Sequence, residues 1–224
     1  VLQDLIMFKS VKLGKYVTLK EYVDSFGADQ KYIYYGSAKT EDAVKALPQS
    51  EKLLDEGYDI LCFSDDVDEF AVKMLGKYED KEFKNILDES VGASPEDDKK
   101  NEEDKDLLEA LKNALGDKVS KVKVSTALKN HPVCLSSEGE VSIEMEKVLS
   151  GMPNAEAGAV KANKILEINA DHPLYAKLKS VYAADKDGLA DYAEILYQSA
   201  RLVAGLPVEN ASELTDKLFA LLAE

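Results

Sequence analysis

The stretch from Ser94 to Asp106, SPEDDKKNEEDKD, carries no hydrophobic side chain apart from Pro95 and sets seven acids against three lysines. Residues of this kind have nothing to bury, so they form a solvated linker or the exposed start of a helix. Any core must therefore be built on either side of them. We place a division there, with one part over residues 1–93 and a second over 107–224. The acidity is not confined to the divide. It amounts to −7 over residues 1–92, −4 in the segment and −4 over 107–224, out of −15 for the 224-residue chain.

That charge excludes some functions. Arg201 is the lone arginine, and a chain this acidic offers no basic patch for a phosphate backbone, so no nucleic acid is expected as a partner. The longest apolar run, Leu218 to Ala223, falls far short of the roughly 18 residues that cross a bilayer, so no membrane association is expected either. With 45% hydrophobic residues a core is available. Cys62 and Cys134 lie far apart among apolar neighbours and read as buried free thiols of a reducing compartment. No signal peptide is visible from Val1 to Ile6, which predicts a cytoplasmic protein.

The first part alternates strand-like and helix-like patterns. Thr18-Leu-Lys-Glu21 is a capping box ahead of a short amphipathic helix. Lys31 to Tyr35 reads as an aromatic strand ended by Gly36, and Tyr58 to Phe63 as a second, more apolar strand. Helices open at Thr40 and Ser50, and another follows Asp65 and Asp66. The order predicts a small α/β layer with parallel strands. In the second part a helix runs to Gly116. Val119, Val122 and Val124 then alternate as a half-buried strand, with His131 to Ser136 as its neighbour. Beyond Pro173 the pattern is helical, over 189–204 and 211–223 among others. The fold class expected is α/β followed by α+β: a small sheet with helices, ending in a helical module.

The sequence carries no phosphate-cradling GxxxxGK[ST] or GxGxxG, and neither His131 nor His172 has metal-ligand spacing around it. Asp65, Asp66, Asp68 and Glu69 lack the glycine and closing glutamate of a calcium loop and read as helix capping. These residues predict no catalytic, cofactor or metal site.

Longer strings carry a resemblance. VTLKEYV (17–23), KYIYYGSAKTEDAVKALPQSEKLLDEGYDILCFSDDVDEFAVKML (31–75), HPVCLSSEGEVSIEMEKVL (131–149), ILEINADHPLYAKLK (165–179) and the terminal LYQSARLVAGLPVENASELTDKLFALLAE are similar, in this order, to the ninety-kilodalton heat-shock chaperones of bacterial type. The resemblance implies a fragment: residues 1–93 as the C-terminal part of a middle domain, 94–106 as an acidic joint, and 107–224 as a C-terminal dimerisation domain. It further implies that ATP and magnesium act elsewhere in the full-length parent, which would be an ATPase of the stress response. This stretch would then be no enzyme, but a homodimer contact and part of a surface for unfolded or partly folded clients. An acidic α/β interaction or scaffold module is the alternative reading.

Two sets of residues are candidate sites. Val141, Met145, Val148, Leu149 and Met152 follow helical spacing, and methionine suits adaptable binding surfaces. The resemblance implies a client-holding helix there, against packing within the domain. In the terminal helices Leu189, Tyr192, Leu196 and Val203 form one stripe, and Leu214, Leu218 and Leu221 another. Ile195, Leu202, Phe219 and Leu222 lie beside them. Helices apolar on more than one face need two partners, which predicts a dimer contact centred near Leu196.

Overall fold

The computed structural model describes residues 3–27, 29–152, 160–184 and 188–223. An antiparallel hairpin of β1 (Met7–Ser10) and β2 (Tyr16–Thr18) leads straight into α1 (Leu19–Asp24). The capping box opens that helix: Thr18 Oγ1 accepts from the Glu21 amide at 3.1 Å, and the Glu21 carboxylate accepts from the Thr18 amide at 2.8 Å. There follow β3 (Ile33–Ser37), α2 (Glu41–Lys45), α3 (Pro48–Asp55), β4 (Leu61–Phe63) and α4 (Asp68–Leu75), then a second hairpin of β5 (Lys77–Tyr78) and β6 (Lys81–Asn85).

These strands form one sheet in the order β2-β1-β4-β3-β6-β5. Only its centre is parallel, β4 to β3 and β3 to β6; β1 runs antiparallel to β4, and both hairpins are antiparallel. The two strands read from the sequence, β3 and β4, lie parallel; the antiparallel edges come from short hairpin strands that the sequence reading did not mark. The turn of the second hairpin sets Glu79 and Asp80 at φ 45° and 63°, the left-handed conformation that tight hairpins demand. Gly36 does not end β3. It lies inside the strand, where a Cβ would come within 2.8 Å of Val44 Cγ1 and 2.9 Å of Ile86 Cδ1, so those side chains pack directly on its backbone.

The acidic segment is helical. α5 (Pro95–Glu103) starts from a capping box of Ser94 with Asp97 and passes at Asp104 into α6 (Lys105–Leu115). Asp97 is buried because its carboxylate also accepts from the Thr126 amide at 2.7 Å. The second part contains β7 (Lys121–Val124), β8 (Val133–Glu138), α7 (Ile143–Ser150), β9 (Asn163–Ile168), α8 (Pro173–Ala184), α9 (Leu189–Val203) and α10 (Ala211–Leu222). β7 and β8 are not neighbours as expected. β9 lies between them, parallel to β7 and antiparallel to β8.

The halves share a core. Val44, Leu53, Ile60 and Ile86 from the first belong to the same buried cluster as Leu111, Val124, Leu166 and Leu196 from the second. A separate cluster around Tyr22, Ile33, Leu61 and Phe63 belongs wholly to the first half. Backbone pairing joins the halves too: the Ser137 amide donates to the Leu87 carbonyl at 2.8 Å, and the Glu89 amide to the Ser137 carbonyl at 3.1 Å. Residues 87–89 thus line the outer edge of β8. Among the described residues no helix is long and apolar enough to cross a membrane.

Candidate functional site

α7 is held at its start by two bonds to one side chain. Ser142 Oγ caps the helix by accepting from the Met145 amide at 3.0 Å and donates to Glu69 Oε2, on α4, at 2.7 Å. The other oxygen of Glu69 accepts from the Tyr35 hydroxyl at 2.9 Å and from Asn85 Nδ2 at 3.4 Å. Burial, and next the carboxylate beside it, push the Tyr35 phenol well above its ordinary value, so it remains a neutral donor. A second contact sits alongside: Lys73 Nζ lies 2.9 Å from Met145 Sδ and donates to the Glu140 carbonyl. The arrangement is a clamp of fixed donors and acceptors between α4 and α7.

The terminal helices differ. At the α9–α10 turn the buried Arg201 donates to the Pro207 carbonyl through Nε at 3.0 Å and Nη2 at 2.7 Å. Its Nη1 reaches the Tyr197 hydroxyl at 3.1 Å and Glu209 at 2.9 Å. That fixes the turn, yet α10 buries only Leu214. Leu202 (55% exposed), Val203 (39%), Leu218 (39%), Phe219 (66%) and Leu222 (80%) leave a large apolar area open to water.

The family model described as Hsp90 protein matches residues 1–224. The chain belongs to the Hsp90 family. It is 50% identical over 223 residues to chaperone protein HtpG of Clostridium perfringens (strain 13 / Type A), covering 99% of this chain. The HtpG proteins of Clostridium acetobutylicum and Bacillus velezensis are each 48% identical, over 99% and 97% of this chain. The chain spans only 35–36% of the length of these relatives.

Within this Hsp90-family fold the residues singled out from sequence separate. Of the proposed client stripe, Met145, Val148 and Leu149 lie on α7, half-buried. Val141 precedes the Ser142 cap and packs on the main core, and Met152 follows the Gly151 cap, 49% exposed. The five residues therefore do not share one helix, as their spacing predicted, because both caps fall inside the stripe. In the terminal helices, Leu196 is 4% exposed and Leu189 2%; both pack into the chain's own core, with the half-buried Tyr192 against it. Leu196 thus faces its own core; the apolar side chains left exposed are Leu202 and Val203 at the end of α9, and Leu218, Phe219 and Leu222 on α10, whose Lys217 pairs with Asp191 near the start of α9. Leu221 is half-exposed beside them. α6, α8, β8 and α10 all pack against α9, and its buried face runs from Leu189 to Arg201, leaving Leu202 and Val203 turned outward.

Glu69 is the residue that sequence reading missed. Four acids before a helix looked like capping, and Asp68 does accept from the Asp65 amide at 3.0 Å. Glu69 is instead 3% exposed and bonded across the halves. Both cysteines are buried; burial pushes the Cys62 thiol up to about 11 and the Cys134 thiol well above its ordinary value. Neither is a nucleophile at neutral pH. No group of three or more His, Cys, Asp or Glu residues is arranged to hold a metal among the described residues.

Proposed function

We propose that this chain is the homodimerising end, and part of the client surface, of an HtpG-type stress-response chaperone. On this reading residues 1–93 are the end of the middle domain and 107–224 the dimerisation domain, with the helical joint between them. ATP and magnesium act in other parts of the parent; this stretch binds neither and catalyses nothing. The reduced, buried cysteines suit a cytoplasmic setting.

The observation that carries the reading is that the two terminal helices leave Leu202, Val203, Leu218, Phe219 and Leu222 exposed to water. A second copy related by a two-fold axis presents the same side chains, so a contact there is self-complementary. Taking each such side chain fully out of water is worth roughly 1.5–3 kcal/mol, and symmetry doubles the gain. The partly open α7 side chains supply the client contact, with methionine as the adaptable element.

Sedimentation equilibrium of the purified chain tests the dimer. We expect a dimer that becomes monomeric in Phe219→Asp and Leu222→Asp, with unchanged circular dichroism. A wild-type chain that stays monomeric when concentrated would overturn the reading.

A further inference from the structure

We propose that the free edge of β7 is a docking site for an extended polypeptide, which joins the small sheet as an added strand. The proposal rests on the client-binding reading and names the form in which a client segment is held. β7 pairs with β9 on one side only. On that side the Ser125 amide donates to the Ile168 carbonyl at 3.0 Å. The next residue back faces the other way: the Val124 amide donates to Asn101 Oδ1 at 2.7 Å, and Asn101 Nδ2 donates to the Val124 carbonyl at 3.3 Å.

Backbone groups alternate in direction along a strand, so the N–H and C=O of Val122 point the same way as those of Val124, away from β9. Asn101 therefore occupies one peptide-sized position on this edge with its side-chain amide; Val122, its side chain in the core at 7% exposure, borders the groove at the next such position. In an antiparallel pairing one residue of an incoming chain exchanges both hydrogen bonds with Val122.

The surroundings fit such a chain. A groove of about 690 Å³ runs between β7 and α5–α6, with Val122 and Leu108 lining it. Lysines on a strand edge usually deter pairing. Here they are drawn aside: Lys121 Nζ lies 2.7 Å from the Glu89 carboxylate, and Lys123 Nζ donates to the Glu89 carbonyl at 3.0 Å. The lining lysines are matched by acids, so the groove selects no strong charge of either sign. Recognition falls on the main chain, which suits varied unfolded segments.

The test uses the 224-residue chain and a fluorescein-labelled octapeptide of alternating threonine and valine, with a version N-methylated at every residue so that neither edge can donate. Hydrogen exchange is followed residue by residue by NMR. The unmodified peptide is expected to slow exchange of the Val122 amide at least tenfold and to leave Lys121 and Lys123 unchanged, and the methylated peptide to leave all three unchanged. Val122→Pro removes the outward N–H in a way an edge strand tolerates, and should weaken peptide binding at least tenfold. The methylated-peptide comparison needs no variant, so it decides the matter even if Val122→Pro fails to fold. No slowing at Val122, or equal slowing by both peptides, would overturn the proposal. Suppression of aggregation of a chemically unfolded protein is measured beside it. If suppression persists without slowing at Val122, the edge site falls and the client reading stands. If it is absent while Val122 is protected, the edge site stands and the client reading falls.

Discussion

Ser142 and Glu69 are 73 residues apart in sequence and joined by a buried 2.7 Å hydrogen bond. The same hydroxyl caps α7, so the direction of that helix and the position of α4 depend on one oxygen atom. Ser142→Ala removes a helix cap, worth about 0.5–2 kcal/mol, and takes a donor from a buried carboxylate, worth about 1–3 kcal/mol. We expect a loss of about 2–4 kcal/mol in urea unfolding. A loss below about 0.5 kcal/mol would show that the clamp is not formed in solution.

Leu196→Ala acts on folding and not on association. The side chain is 4% exposed within its own core, where such a truncation costs about 2–5 kcal/mol. The midpoint of denaturation should fall accordingly, while the folded fraction keeps the dimer constant of the wild type. A well-folded, monomeric variant would instead place Leu196 at the contact.

The surface of α7 separates from its packing. Met145→Ser with Leu149→Ser should reduce suppression of client aggregation several-fold and shift the melting temperature little, since neither side chain is buried. Val141 is the wrong residue for this test because it packs on the core. A large loss of stability in the double variant would mean that the face is covered.

Glu194 gives a pH dependence with a definite sign. Burial opposes its ionisation, but Lys118, at 2.6 Å, and Gln198 outweigh it and hold the carboxyl below its ordinary value of 4.5. A carboxylate depressed in the folded state contributes stability that is present above about pH 5 and lost as the pH falls through its folded value. Urea midpoints between pH 3 and 6 should therefore show the wild type losing its advantage over Glu194→Gln as the solution is acidified. A difference that is constant with pH would refute the assignment.

The acidic joint resists proteolysis as long as Asp97 holds it. Its carboxylate accepts from the amides of Ser94, at 2.9 Å, and Thr126, at 2.7 Å. Asp97→Ala should raise the rate of cutting between Ser94 and Asp106 about tenfold, the equivalent of about 1.4 kcal/mol of easier local opening. Mapping the first cleavage by mass spectrometry checks this. A wild-type chain cut there first would show that the capping box does not secure the segment.

Elements with strong local signals were legible in the sequence. The Thr18–Glu21 capping box, the stop at Gly116 and the two long terminal helices follow from residues a few positions apart. What was not legible depends on distant partners. Ile165-Leu-Glu-Ile168 is apolar because it is the central strand of its sheet, and a run that short does not declare its period. Leu196 and Leu202 look equally apolar in one dimension, and only the packing of α6 and β8 tells which is covered. Glu69 is invisible for the same reason, because its partners come from β3, β6 and the start of α7.

The core shared across the acidic joint bears on how a new copy is made. Val44, Leu53, Ile60 and Ile86 leave the ribosome with one wall of their surroundings, Leu111, Val124, Leu166 and Leu196, still untranslated. At about 5–20 residues per second the missing wall takes on the order of ten seconds to arrive. Through that interval a nascent chain of the Hsp90 family displays bare apolar surface of its own, and depends on neighbours in the cell to leave it alone.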